Sequence, residues 1–173
     1  MKIIDNFLTK QDHINILSLL TDVKFNWHFN KNVVYHDKPS LSLNDFQFTH
    51  VFYRDNNPTS QYYPILSPIL SRLKCDVLVR AKANLRTPTL TIEESDMHTD
   101  IAFPSILEKQ EVMSAMKTAI YYVNTNDGYT IFKNGDKVNS VENRAVIFPT
   151  NLQHAGSTHT NSKYRIVINF NFF

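Results

Sequence analysis

Glycine is scarce in this chain, three among 173 residues. A loop that wraps a nucleotide phosphate needs several glycines close together, so a nucleotide-binding reading has little to stand on. Cysteine is scarcer. Cys75 stands alone, which rules out an internal disulfide and fits a reducing compartment. No activating pattern surrounds it, so it reads as a small buried hydrophobe rather than a nucleophile. No run approaches the ~20 apolar residues of a membrane span. The stretch from Met1 to Leu8 has neither the long apolar core nor the small-residue cleavage site of a signal peptide. A soluble protein of the cytoplasm is expected. Excess charge is also lacking. A net charge of +2 is too mild to argue for nucleic acid or an anionic membrane.

What is present is ordinary for a globular protein: 42% hydrophobic and 20% charged residues. A chain of this length buries roughly 70% of its extended surface, enough for one domain with a real core. No repeat, low-complexity segment or linker interrupts it, so 1–173 is read as a single domain.

Residues 2–8 alternate as a short strand. Thr9 and Asp12 form a helix-start box before apolar positions at helical spacing, predicting a helix from about 10 to 22. Residues 25–35 read as one or two strands around Asn30-Lys31-Asn32, then a loop over 36–45 and a strong strand over 46–53. His50 on that strand is expected to be a hydrogen-bonded wall residue. A helix from Pro64, kinked at Pro68, is expected next. Residues 76–85 alternate again. Arg80, Lys82 and Asn84 share one face, and pattern alone favours solvent there. Further strands are expected at 114–124, 129–132, 137–141, 144–148 and 163–173. Asp127-Gly128 signals a hairpin joining the first two, Asn134-Gly135 a second tight turn, and 152–156 a loop. Two N-terminal helices and then seven or eight strands with regular turns make a closed or double-sheet antiparallel β fold.

The chemistry gathers around Met97-His98-Thr99-Asp100. Alternate residues of an extended chain share a face, so His98 and Asp100 can meet one metal. His154, beyond strand 144–148, offers a third corner. Two His and one carboxylate with positions left open is the facial arrangement of non-haem Fe(II) oxygenases. A 2-oxo acid fills two open positions and dioxygen the last. Arg165, eleven residues past His154, can take the far carboxylate of a dicarboxylic acid in a two-pronged contact. The bland alternative is a surface ion pair at His98 and Asp100, a loop-satisfying His154 and a solvated Arg165. His159 is a rival third ligand but leaves only six positions to Arg165. Parity in the last strand puts Arg165, Val167, Asn169 and Asn171 on one face and Tyr164, Ile166, Ile168, Phe170 and Phe172 on the other. The first face either lines a polar cavity or is wet.

With those residues in view, the chain resembles 2-oxoglutarate- and Fe(II)-dependent dioxygenases of the prolyl 4-hydroxylase-like superfamily, nearest the small single-domain members of marine phages and bacteria. The resemblance runs from Asp5-Asn6-Phe7-Leu8, through Arg80 to Leu85 and the His98-x-Asp100 motif. It continues through Ala119 to Asn124 with Asp127 to Phe132, Asn143 to Phe148 with His154-Ala155-Gly156, and Arg165 to Phe170. It implies a mainly β fold: a double-stranded β-helix (jelly-roll) core over roughly 76–173 with flanking N-terminal helices, the support spanning roughly 9–74. It implies Fe(II) on His98, Asp100 and His154, with 2-oxoglutarate on Arg165 and O2 as the oxidant. Asn84, Asn169 and Tyr122 are further co-substrate candidates. One glycine stands where relatives often have two, and Arg165 where many prolyl 4-hydroxylases have Lys.

The implied activity is hydroxylation of a protein or peptide side chain such as proline, in the host cytoplasm if the chain is phage-encoded. The same machinery on a nucleobase or small metabolite is the alternative. Arg80 and Lys82 are too few for a nucleic-acid stripe. A non-catalytic jelly-roll binding or structural module is the third reading. No membrane partner is expected, and oligomeric state is left open. The loops over 30–45 and 101–113 are expected to rim or close the site.

Overall fold

A computed structural model describes residues 1–34, 42–101 and 115–173. In chain order the elements are β1 (Lys2–Ile4), α1 (Lys10–Leu20), β2 (His28–Asn30), β3 (Gln47–Arg54), β4 (Asn57–Pro58), a 3-10 turn (Tyr63–Leu66), α2 (Ser67–Leu73), β5 (Leu78–Arg86), β6 (Lys117–Tyr122), β7 (Tyr129–Phe132), β8 (Lys137–Asn139), β9 (Arg144–Pro149), β10 (His154–Gly156) and β11 (Arg165–Phe172). The major sheet runs β1-β9-β6-β11-β5-β3-β2, with β4 on β3, and the minor sheet runs β10-β7-β8. Every pairing is antiparallel. Two such sheets make the expected jelly-roll core, and α1 and α2 cover the outer face of the larger one.

The helix signals act as the sequence suggests. Thr9 caps α1, its Oγ1 accepting from the Asp12 amide at 3.2 Å while its hydroxyl donates to the Asp12 carboxylate at 2.7 Å. Pro68 does not kink a helix. It opens a new one: Pro64 and Pro68 each occupy the start of a separate helical piece, where a missing N–H costs nothing.

β11 divides the interior. Ile166, Ile168, Phe170 and Phe172 enter a large core with Ile16 and Leu20 of α1 and Ile69 and Leu73 of α2. Each such side chain contributes on the order of 1.5–3 kcal/mol by leaving water. Val167 points the other way, into a smaller core with Ile120, Phe132, Val146 and Phe148 between the sheets. Arg165, Asn169 and Asn171 share that inner face and are all buried, so it is a lined interior and not a wet surface.

Three further expectations need correction. The polar face of β5 is not solvent-facing: Lys82, Asn84 and Arg86 line an interior cavity, because Ala81 and Ala83 on the opposite face are taken up by the large core. Asp127-Gly128 is not a hairpin turn. β6 and β7 lie in different sheets, β7 pairing with β8 and β10, so the segment between them crosses over. Residues 154–156 are not loop but strand β10 on β7. One strand, His28–Asn30, forms in the described part of 25–35, and the support segment carries β2, β3 and β4 beside its helices, in keeping with the strands expected over 25–35 and 46–53. Asn134-Gly135 does make the β7–β8 turn, with Gly135 at φ 90°. Most of the 36–45 and 101–113 loops lies outside the described residues.

Asn143 ties the N-terminal segment to this frame. Its Oδ1 accepts from the Leu8 amide at 2.8 Å and the Tyr121 hydroxyl at 3.1 Å, and its Nδ2 donates to the Leu8 carbonyl at 3.0 Å. Asn143→Ala orphans those buried groups and places alanine at φ 58°. It is expected to cost on the order of 2–4 kcal/mol in urea unfolding; a loss under about 0.5 kcal/mol would contradict the pinning role.

Acid should also weaken the fold. His13 donates to the Tyr121 hydroxyl at 2.7 Å, and His50 bonds the Asn26 carbonyl at 2.7 Å and Ser60 Oγ at 2.8 Å. His50 is thus the wall residue expected. Burial pushes both rings below the usual imidazole value. The unfolded chain then binds protons more readily, so their contribution is complete above about pH 6.5 and is lost as pH falls from there. The urea midpoint is expected to be lower at pH 5.5 than at pH 7.5, with a shallower dependence in His50→Gln. An equally steep dependence in that variant removes His50 from the account.

Candidate metal centre and its cavity

The segment leading to Asp100 is clamped to β10. His98 and His154 exchange both backbone hydrogen bonds at 3.0 Å, which sets their rings 5.0 Å apart. His98 Nδ1 lies 3.0 Å from the Asp96 carbonyl and His154 Nδ1 3.3 Å from the Leu152 carbonyl. A carbonyl accepts only, so each Nδ1 carries the proton and each Nε2 keeps its lone pair. This is how histidines are held for metal ligation. Among the described residues, His98, Asp100 and His154 offer ligand atoms that all lie within 4.8 Å of one another. His159, the rival, is elsewhere: its Nε2 bonds the Ser162 carbonyl at 3.1 Å.

Asp100 is buried, and burial alone would raise its carboxyl. Arg80 first, then His154, His98 and Lys82, outweigh this and hold it well below the usual carboxylate range. Arg80 Nη2 lies 2.9 Å from Oδ1. Asn169 donates to Oδ1 at 3.4 Å and Asn171 to Oδ2 at 3.5 Å. Arg80 Nε in turn donates to Asn171 Oδ1 at 3.1 Å, and Asn171 Nδ2 to Thr118 Oγ1 at 2.9 Å. The carboxylate stays ionised with Oδ2 turned to His154 Nε2, 3.9 Å away.

One cavity is lined by the triad and by Arg165. Arg165 is 4% exposed. Its Nε donates to Ser140 Oγ at 2.9 Å and its Nη2 to the Tyr129 carbonyl at 3.1 Å. No carboxylate among the described residues pairs with it. Burial lowers it to about 10, so it is a full cation at neutral pH. Asn84 and Asn169 also line the cavity, and the Oδ1 of each is buried without a hydrogen-bond partner among the described residues. Tyr122 is buried behind the wall, its hydroxyl donating to Thr130 Oγ1 at 2.8 Å with the Arg165 guanidinium 6.0 Å from its ring.

These donors fit an iron centre with a dicarboxylic 2-oxo acid. Two neutral imidazoles and one carboxylate suit Fe(II). A buried guanidinium without a carboxylate and two orphaned amide oxygens mark a cavity built for a polar guest.

Sequence reasoning missed Arg80 as a partner of Asp100, Lys82 as a cavity cation, and Ser140 as the orienter of Arg165. The signal was present: β5 and β11 each carry an alternating polar face, and two such faces side by side in a sheet imply a shared polar interior. Gly128 was read for its turn, yet no positive φ distinguishes it. A Cβ there would stand 2.7 Å from the Thr158 carbonyl and 2.8 Å from Arg165 Cδ.

No protein-family model matches the sequence, and no curated protein matches it. Solved structures do resemble it. A Trichoplax adhaerens prolyl hydroxylase in complex with a hypoxia-inducible factor peptide fragment aligns over 99% of this chain and 82% of its own, at TM-score 0.68 and 13% identity. A non-haem alpha-ketoglutarate-dependent carbocyclase of nogalamycin biosynthesis aligns over 98% and 78%, at TM-score 0.64 and 11% identity. A collagen prolyl hydroxylase of Paramecium bursaria Chlorella virus 1 aligns over 98% and 88%, at TM-score 0.54 and 14% identity. The chain therefore has the double-stranded β-helix fold of prolyl hydroxylase-like 2-oxoglutarate oxygenases, as the sequence resemblance implied.

Gly128→Ala tests the packing around Arg165. It is expected to lower stability by about 1–3 kcal/mol, the usual cost of overpacking, in urea or thermal unfolding. Unchanged stability would mean that the crossing segment yields freely.

Proposed function

We propose that this protein is an Fe(II)- and 2-oxoglutarate-dependent dioxygenase that hydroxylates an organic substrate. The observation that carries the reading is one cavity lined both by the His98–Asp100–His154 group and by the buried Arg165, which pairs with no carboxylate among the described residues. His98, Asp100 and His154 would hold the iron. Bound iron with 2-oxoglutarate and O2 supplies oxidation of a carbon–hydrogen bond, with carbon dioxide and succinate released.

The chain's own residues have separate tasks. Arg165 would bind the distal carboxylate as a fork, oriented by Ser140 and the Tyr129 carbonyl. The Nδ2 groups of Asn84 and Asn169 would donate to the co-substrate from the cavity wall, leaving each Oδ1 to a donor from elsewhere, and Tyr122 would act on it only indirectly, through the wall behind Arg165. Arg80, Asn169 and Asn171 keep Asp100 ionised and in place. Ile120 and Val167 on the cavity wall limit water. We take residues 1–173 as one such domain, because β1 pairs with β9 and α1 packs on the same core as β11.

A prolyl side chain in a peptide is one substrate to test, since prolyl hydroxylases share the fold and one of those structures holds a peptide. A small metabolite is the second reading. It is favoured by Lys82, a half-buried cavity cation that a neutral prolyl side chain does not use.

Anaerobic addition of Fe(II) and then 2-oxoglutarate should produce a visible charge-transfer band. His98→Ala and Asp100→Ala should abolish it. Arg165→Leu should weaken 2-oxoglutarate binding by about 100-fold, the loss of roughly 2–3 kcal/mol from a charge-assisted pair. Absence of both the band and 2-oxoglutarate binding in the wild-type protein would sink the dioxygenase reading.

A further inference from the structure

Three cations reach the cavity between the sheets: Arg86, Arg165 and Lys82. Two have an occupation. Arg165 awaits the distal carboxylate of the co-substrate. Arg86 Nη2 donates to the Asn44 carbonyl at 2.9 Å, and Asp45 and Glu93 lie close enough to favour its charge. Lys82 has none. It sits in the middle of β5, between Val51 on β3 and Asn169 on β11, and among the described residues its ammonium makes no hydrogen bond or ion pair. Asp100, whose charge reaches it, is already engaged by Arg80 and on the dioxygenase reading is a metal ligand. An ammonium drawn out of water without a partner is destabilising. Burial and Arg80 lower Lys82 to about 8, so it is still mostly charged at neutral pH.

The register separates the two ends of the cavity. Arg165 lies opposite Arg86, and Lys82 lies opposite Asn169, four residues further along β11, or ~13 Å of strand. A co-substrate held by Arg165 and chelating the metal with its 2-oxo end turns its distal carboxylate away from Lys82, toward the Arg165 end. Asn169 Oδ1, across the strand pair from Lys82, is a buried acceptor without a donor.

Resting on the dioxygenase reading, we propose that the oxidised substrate is a small organic acid whose carboxylate docks on Lys82. An N–H or O–H on the same molecule would satisfy Asn169 Oδ1, which makes a free amino or hydroxy acid the favoured form. The anion must enter the interior to reach this ammonium, so it lies within a few bonds of the carbon presented to the metal. A peptide main chain at the rim does not meet that condition.

The test uses acetate as the minimal probe, with acetamide as its neutral counterpart at matched ionic strength. Co(II)- and 2-oxoglutarate-loaded protein is titrated with each and followed by its visible spectrum and melting temperature; the metal-free protein is followed by melting temperature alone. Acetate, and not acetamide, should perturb the loaded protein. The midpoint should rise by about tenfold or more in Lys82→Met and recover in part in Lys82→Arg, while 2-oxoglutarate affinity stays within about threefold of wild type. An acetate response that is absent in wild type, or unchanged in Lys82→Met, overturns the proposal. So does a Lys82→Met variant that loses 2-oxoglutarate binding, which would assign the lysine to the co-substrate. Wild-type protein that binds no 2-oxoglutarate, yet gains melting temperature from acetate through Lys82 in the metal-free state, overturns the dioxygenase reading and leaves an anion site.

Discussion

Backbone hydrogen bonding of β11 to β5 on one side and to β6 on the other sets the two-sided character of the molecule. A strand paired on both edges cannot slip without turning its whole side-chain set over. Its bulky residues face α1 and α2, so the register places Arg165, Asn169 and Asn171 inward. The neighbours follow. Arg86, Lys82 and Arg80 stand opposite Arg165, Asn169 and Asn171, which gives the inner face of the major sheet a polar band.

That layer explains the treatment of Asp100. A carboxylate taken from water needs compensation, and Arg80 with two asparagines supplies it before any metal is considered. The same residues orient the group, because Arg80 and Asn169 address one oxygen and leave the other toward His154. Support of this kind, reaching from Thr118 through Asn171, is what holds a ligand set open and directional.

The minor sheet contributes the other half of the site. β10 brings His154 against His98, and β7 offers its first carbonyl to Arg165. Gly128 lets the crossing segment lie against Arg165, and Ser140 after β8 orients the guanidinium. The site thus spans both sheets, and its geometry depends on how they pack as well as on either one.

Much of this was legible in the residues alone. Thr9 and Asp12 announced α1, and the alternation of residues 165–172 announced a strand with one apolar and one polar face. His98-x-Asp100 named two ligand candidates, and His154 and Arg165 followed at sensible positions. These signals are local or periodic, so one chain segment carries each in full. Whether the polar face of β5 met water or a cavity was not legible, since Arg80, Lys82 and Asn84 look the same in either setting and only the placement of β11 and the helices decides. Nor was the partner of β7, because Asp-Gly is compatible with a hairpin until the competing pairing with β10 is seen. The sequence by itself determined which side chains could bind a metal and an acid; the packing of the two sheets decided that they meet, that Arg80 braces Asp100, and that Lys82 faces the cavity without a partner among the described residues.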